Sequence, residues 1–316
     1  MLEDGQKMQE REPSVPGGDK TEFAASLPND ILVEVAKHLP TDDPVETATN
    51  LTSFKLASRS VRASVDASDV GTFHRTVNRL GASSKALYDS AVPRNGFAEY
   101  PNYPEPDPAG EFALASRRIR AIGPTLKFQS PARKTGIVNH ILNMSEGGEQ
   151  AEAIMLMSSH LSDLGRADQR RLINKAIEYF RENGPIDYDS REYAAYTIAA
   201  AHDQLELEHK SQIFDAMAKR PQLSRLYADA RVDAQEHLSL ASTSEGSHER
   251  SNKQLASDIL QIEQKIRTEL TPETLSAHEQ MARAEPIARS IRRTYDDARA
   301  NLTRSPRARS NSDIGR

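Results

Sequence analysis

The chain has 316 residues, of which 37% are hydrophobic and 28% charged, and its mean hydropathy is −0.66. This balance is too polar for one large core and favours smaller units joined by polar segments. The absence of cysteine excludes disulfides, thiolate metal sites and cysteine nucleophiles. The formal net charge is −5, but residues 283–316 hold nine arginines and four acidic residues, so a basic C-terminal end follows an acidic remainder.

Composition and periodicity predict an all-α fold with disordered ends. We expect the following segments: 1–22 disordered, 23–95 a small helical unit, 96–111 a proline-rich linker, 112–240 a helical domain, 241–253 a flexible linker, 254–300 C-terminal helices, and 301–316 a disordered Arg-rich tail.

Residues 26–65 predict three short helices. Pro28 favours the start of the first and Pro40 its end, because proline fixes φ and lacks an N–H. Apolar residues between them recur at helical spacing and predict an inward-facing stripe. The stripe comprises Ile31, Leu32, Val35, Ala36 and Leu39. Leu27 and Val33 lie outside it and are predicted to face a partner, since about forty residues of helix cannot bury a core alone.

A capping-box signal at Asp43, Pro44 and Glu46 starts the second helix, which we predict to end near Asn50. The third helix is predicted to have one apolar side, made by Phe54, Ala57, Val61 and Val65. Helix continues over 70–92, where the residues spaced for burial against the first three helices are Phe73, Val77, Leu80 and Leu87. The four prolines of 96–111 then predict an extended spacer.

From 112 to about 240 the apolar residues recur at helical period without strand alternation. The segments GIVNHIL, RLINKAI and SQIFDAM align with Val138, Ile173 and Ile213 in register. Second helices are predicted after the first two segments, at 151–164 and 192–205. These offsets are typical of stacked helix pairs, as in HEAT or armadillo arrays, and an irregular bundle is the alternative. Either arrangement offers a broad surface for binding another protein.

Two C-terminal helices are predicted beyond the Ser-rich linker. The first has an apolar stripe made by Leu255, Ile259, Ile262 and Ile266. The second runs from about Glu273 through Met281, Ile287 and Ile291, and Pro286 is predicted to kink or split it.

Candidate chemistry is sparse. The nine histidines have no partners at metal-ligand or catalytic spacing, and His160 and His202, which occupy similar positions in the repeat-like helices, are predicted as surface or capping residues. No metalloprotease, phosphate-loop or hydrolase motif is present. We therefore predict a protein that is not an enzyme and needs no metal or cofactor. The basic tail lacks interleaved aromatic residues, so no specific nucleic-acid partner is expected.

The first helices resemble the F-box. The residues that carry this likeness are Leu27-Pro28, Ile31-Leu32-Val33 and the Ser58-Arg59-Ser60-Val61-Arg62 segment, in which Val61 replaces the usual aromatic residue. The resemblance implies docking on a Skp-type adaptor of a cullin-based ubiquitin ligase. The adaptor-binding residues that it implies are Leu27, Pro28, Ile31, Leu32, Val33, Val35, Leu39 and Val61.

Two further segments, VAKHLPTDDPVETATNLTSF at 35–54 and EPIARSIRRTYDDARANL at 285–302, resemble the ends of VirF-type F-box effectors of plant-associated bacteria. This likeness implies a protein made in the bacterial cytoplasm and translocated into the host cytoplasm or nucleus. The N-terminus lacks the order of a secretory signal, so we expect the export address at 283–316, where it would be read by the bacterial type IV coupling machinery. Arg299, Arg307 and Arg309 fit the Arg-rich spacing of type IV substrates, Asn311 departs from it, and Arg304 adds charge.

The resulting interpretation is an F-box effector that presents a host protein for ubiquitination and degradation. One alternative is a translocated enzyme with its site in the helical domain. Another is a helical interaction protein without a link to ubiquitin, which would follow if the Leu27-Pro28 end were buried.

Overall fold

Helices make up most of the described chain in this computed structural model, and no strand occurs in that part, which confirms the all-α class. The structure describes residues 27–91, 116–181, 188–244, 250–270 and 277–303. The predicted disorder at 1–22 and the linker at 96–111 lie outside these residues, as does the tail after 303. Residues 301–303, predicted as the start of the tail, are helical instead.

Four helices form the N-terminal part of a first unit: α1 (Asn29–Lys37), α2 (Pro44–Leu56), α3 (Arg59–Asp66) and α4 (Asp69–Ala91). The predicted cap of α2 is confirmed, because Asp43 Oδ1 accepts the N–H groups of Val45 and Glu46 at 2.7 and 3.2 Å. The second half of the predicted capping box is absent, since the Asp43 N–H donates to Thr41 Oγ1 at 3.3 Å.

The second helix continues past the predicted end near Asn50, and it includes Phe54. The break comes at Ser58, whose extended backbone and hydroxyl, which accepts the Val61 N–H at 3.1 Å, cap α3. The predicted third helix therefore begins later than its apolar spacing suggested.

The C-terminal helices α11 (Asn252–Glu269) and α12 (Ala277–Thr303) complete this first unit. Both pack against α4, and α12 also covers a 3₁₀ turn at Gly123–Phe128. Arg79 on α4 ties α11 in place through two 2.8 Å hydrogen bonds to Glu263. The predicted stripes of α4 and α11 are confirmed as buried.

Pro286 was predicted to kink or split α12. The split is wrong, because the helix is continuous from Ala277 to Thr303. Proline removes one backbone donor from the helix. Burial of Ala284 before it, and of Ile287 and Ile291 after it, holds both halves against the same surface.

A second unit is built from helix pairs: α5 (Pro131–Leu142) with α6 (Gly148–Ser158), α7 (Arg166–Arg181) with α8 (Tyr188–Ala200), and α9 (Leu207–Lys219) with α10 (Pro221–Ser244). The first helices of the pairs pack in the order α5, α7, α9, and the second helices in the order α6, α8, α10. This two-layer stack corresponds to the repeat arrangement rather than to the irregular bundle. The residues predicted to share a register, Val138, Ile173 and Ile213, are all buried.

Three boundaries of the stack differ from the sequence prediction. The second helices α6 and α8 end early, and each is followed by a 3₁₀ turn, at Leu161–Asp163 and His202–Gln204. Helix α10 was not predicted as a second helix, and its end at Ser244 makes 241–244 helical rather than part of a flexible linker.

Candidate partner-binding sites

Helix α1 exposes one apolar side and buries the other. Its buried side is Leu32 and Ala36, which pack toward α3 and α4. Its exposed side carries Pro28, Ile31 and Val35, and the last two are 45% and 41% exposed. These positions are spaced i, i+3 and i+7, so they form a single stripe along the helix.

This orientation corrects the predicted inward stripe, which had included Ile31 and Val35. A nine-residue helix can turn either of two adjacent apolar rows inward, and here α3 covers the row of Leu32. Leu27 and Val33, predicted to lie outside the stripe, are partly buried against the core, as is Leu39.

Two predicted adaptor-binding residues lie in the core. Leu32 and Val61 are both buried, so neither can contact a docked partner in this conformation. Val61 is a core residue of α3, and it occupies the position where the F-box pattern has an aromatic residue. The residues open to a partner are therefore Pro28, Ile31 and Val35.

One hydrogen bond joins the start of α1 to α3, and one ion pair lies on its polar side. Asn29 Oδ1 accepts the Ser64 hydroxyl of α3 at 2.7 Å. Glu34 accepts a 2.8 Å hydrogen bond from Lys37 on the polar side, and this hydrogen bond lowers the pKa of Glu34. The apolar stripe is thus bordered by a solvated ion pair rather than covered by it.

The predicted export segment is partly inside the fold. Within α12, Ala288, Ile291 and Tyr295 are fully buried, and Arg299 forms an ion pair with Asp42 before α2. Arg304, Arg307 and Arg309 lie outside the described residues. The part of the predicted signal that the structure describes is therefore a core helix of the first unit.

A second exposed apolar surface, which we call the α9 stripe, lies on the last pair of the stack. Leu207 and Phe214 are 86% and 65% exposed and lie seven residues apart on α9. The opposite side of α9 carries Ile213 and Ala216 and is buried. The sequence alignment correctly predicted the register of Ile213 but did not single out the α9 stripe. The i, i+7 spacing of Leu207 and Phe214 could have indicated it.

The two histidines singled out in the sequence, His160 and His202, have different surroundings. His160, predicted as a surface or capping residue, is partly exposed and precedes the 3₁₀ turn at Leu161–Asp163 without a side-chain cap. Its ring packs on Gly123, and burial lowers its pKa to about 4. His202 Nδ1 lies 2.9 Å from the Tyr227 hydroxyl. In the described ranges no three His, Asp or Glu side chains come together as metal ligands would. No helix in that part of the chain has the length and apolar content to cross a bilayer.

Comparison with known proteins yields no match to a protein-family model, to a curated protein or to a solved structure.

Proposed function

We propose that the chain is a non-enzymatic scaffold that brings a host protein to a ubiquitin ligase. The first unit would dock on a Skp-type adaptor through the exposed stripe of α1, and the helical stack would hold the target. The exposure of Pro28, Ile31 and Val35 at the Leu-Pro end of α1 carries this proposal, together with the F-box resemblance of the same residues.

The proposed mechanism is an increase in effective concentration. A target held on the same chain as the adaptor meets the conjugating enzyme as a near-intramolecular partner, so transfer accelerates without new chemistry on this protein.

The target would bind the α9 stripe. In a stack of helix pairs each pair covers the next, and a last pair in contact with water normally has a polar outer side. Here the last first-layer helix presents Leu207 and Phe214 instead. An aromatic and an aliphatic anchor at i, i+7 suit the apolar side of a partner helix.

We also propose that export into the host cell precedes these steps. In the folded protein Arg299 is paired with Asp42, so a receptor would read the arginines after Thr303, or would engage α12 before the first unit folds. A cationic end would be drawn to an acidic receptor.

Paired surface variants test the division of labour. Ile31→Asp with Val35→Asp should weaken adaptor binding by about tenfold or more, because apolar side chains buried at an interface are replaced by charges. The matched control, Leu207→Asp with Phe214→Asp, changes two residues of similar type and should leave adaptor binding intact while reducing target capture from plant extract.

Both doublets alter exposed side chains, so the helical circular dichroism signal should be preserved in each. Unchanged adaptor binding in the α1 doublet, measured with purified adaptor, would refute docking through α1.

The partial burial of Leu27 favours a second candidate, a helical interaction protein that acts without ubiquitin. This candidate predicts that the wild-type chain captures its target but no adaptor.

A further inference from the structure

The last pair of the helical stack has an exposed apolar end. In this pair α9 packs on α7 and α10 packs on α8, so the end is formed by the sides turned away from α7 and α8. The α9 stripe belongs to it. Ser211 and Ala218 are also exposed and lie four and eleven residues after Leu207. With Phe214 they make an uncharged row of four side chains along one side of α9.

Helix α10 adds apolar surface to the same end. Val232 is 55% exposed and lies two residues from both Ala230 and Ala234, which are buried. Two residues turn an α-helix by about 200°, so Val232 points away from the buried side that packs on α8. Ala228, one turn before Val232, is exposed as well. The exposed apolar surface therefore crosses both helices of the last pair.

The opposite end of the stack is already covered by the first unit. Arg133 of α5 contacts Asp89 at 3.2 Å, and Lys134 of α5 contacts Asp43 at 3.5 Å. A second copy of the chain could therefore not extend the stack head to tail. Two exposed ends can only meet each other, and such a contact is isologous and closes at two copies.

The charges beside the α9 stripe match those of a second, antiparallel copy. Glu208 and Lys219 lie eleven residues apart, which is close to three turns, so both point to the same flank of the stripe. A two-fold axis that passes beside Phe214 reverses the direction of α9 and sets each Glu208 opposite Lys219 of the other copy. Glu208 contacts Arg170 through Oε2 at 3.0 Å and is still 63% exposed, so it can also meet a second cation.

We propose that two copies of this chain associate through the α9 stripe, with the two α9 helices antiparallel. Phe214 meets its counterpart near the two-fold axis, and Leu207 lies close to Ala218 of the second copy. An aromatic ring at the centre and charged pairs at the edge are the usual arrangement of a protein–protein interface. The self-match of Glu208 with Lys219 favours a second copy over an unrelated partner as the occupant.

The size of the surface predicts a weak dimer. Helix α9 is roughly 20 Å long and two packed helices are roughly 20 Å wide, so the end of the stack measures about 400 Å² in projection. A stable interface of standard size buries about 800 Å² of accessible surface on each partner. We therefore expect a dissociation constant in the micromolar range and exchange between monomer and dimer.

One consequence rests on the proposed function. If the target binds the α9 stripe, then the target and a second copy compete for it. Concentrated protein would be paired with itself, and dilution would free the target-binding surface by mass action.

Sedimentation equilibrium of the purified full chain tests the association without any target. The average mass should rise from 35.0 kDa toward twice that value between about 1 and 200 μM. Leu207→Asp with Phe214→Asp should stay at the monomer mass, because it places charges in the apolar contact. The matched control is Ile31→Asp with Val35→Asp, which changes the exposed stripe of α1 and should associate as the wild type does.

Charge reversal tests the antiparallel pairing. Glu208→Lys and Lys219→Glu should each weaken association by about fivefold or more, because two ion pairs per dimer become like-charge contacts. An equimolar mixture of the two variants should associate about as well as the wild type, since every lysine then faces a glutamate. Both side chains are exposed, so the helical circular dichroism signal should be preserved.

Three outcomes would overturn the proposal: a wild type that stays monomeric at the highest concentration, a dimer that survives Leu207→Asp with Phe214→Asp, or a mixture that associates no better than its components. Capture from plant extract separates this proposal from the proposed function. A chain that is monomeric at every concentration and captures a target refutes only the dimer. A chain that dimerises but, when diluted to monomer, captures nothing refutes only the target site on the α9 stripe.

Discussion

Tyr295 on α12 combines a well-packed ring with an unused hydroxyl. Its ring lies 5.3 Å from Phe128 and 6.2 Å from Phe73, centroid to centroid, and Lys127 Nζ is 4.3 Å from its centre. A buried hydroxyl without a hydrogen bond costs about 1–3 kcal/mol of stability. Tyr295→Phe should therefore unfold at the same or a higher urea concentration than the wild type.

Tyr295→Ala is the contrasting variant, and it should lose about 3–5 kcal/mol because the ring leaves a cavity. A clear loss of stability in Tyr295→Phe would show that the hydroxyl has a partner in solution.

His160 predicts a pH dependence of stability. Burial lowers its pKa to about 4, while Asp163 opposes that shift and Arg292 adds to it. The unfolded chain, with a histidine pKa near 6.5, binds the proton first as pH falls. Stability should thus decline between about pH 6.5 and pH 4, by up to about 3 kcal/mol.

The His160→Phe variant keeps a flat ring against Gly123 and has no proton to bind, so its unfolding midpoint should change less over the same pH range. Equal pH profiles for variant and wild type would assign the decline to other groups.

At the residue scale, the sequence shows which side chains are apolar, but it predicted less well which of them are buried. The stripe of α11 was predicted correctly because four residues at helical spacing allow only one buried side. Helix α1 has apolar residues over a wider arc, so the packing of α3 and α4 decides that Leu32 is buried while Ile31 and Val35 are exposed. Periodicity contains no information on that choice.

At the scale of elements, α12 is what completes the first unit. The short N-terminal helices were expected to need an external partner for their core, and the chain supplies one through α11 and α12. Sequence patterns showed the apolar sides of both helices but could not show that they pair with α4, about 200 residues earlier, because long-range pairing leaves no periodic signal.

A fragment experiment follows from this packing. Residues 27–91 alone should lack stable helical structure, because the surface of α4 that α11 and α12 cover would be exposed. Adding a second fragment, 250–303, should restore the helical circular dichroism signal of the mixture.

A 250–303 fragment that carries Ile291→Asp is the matched control, and it should fail because Ile291 is fully buried. If 27–91 folds cooperatively without help, α12 is not a core helix, and an export signal over the whole of 283–316 becomes compatible with the folded first unit.

At the scale of the molecule, the two units meet through ion pairs and through the 3₁₀ turn at Gly123–Phe128, whose Phe128 packs on Tyr295 of α12. Ion pairs cross the junction from Arg292 to Asp163, from Lys134 to Asp43 and from Arg133 to Asp89. No α-helix of the first unit packs broadly on a helix of the stack within the described residues. The composition predicted two units. It could not predict the ion pairs between them, because the paired residues lie far apart in sequence.

We expect the stack to fold without the first unit. Helix 116–122 belongs with it, since Arg120 contacts Glu152 of α6 at 3.6 Å, so a fragment of residues 112–244 retains this end helix. Because the pairs bury their own core, the fragment should show a cooperative thermal transition and a helical spectrum, and it should capture the target without the adaptor. The same fragment with Ile173→Asp, which places a charge in the core of α7, should lose both properties. A wild-type fragment that melts without cooperativity, or that needs residues 27–91 to bind, would show that the two units share one core rather than fold separately.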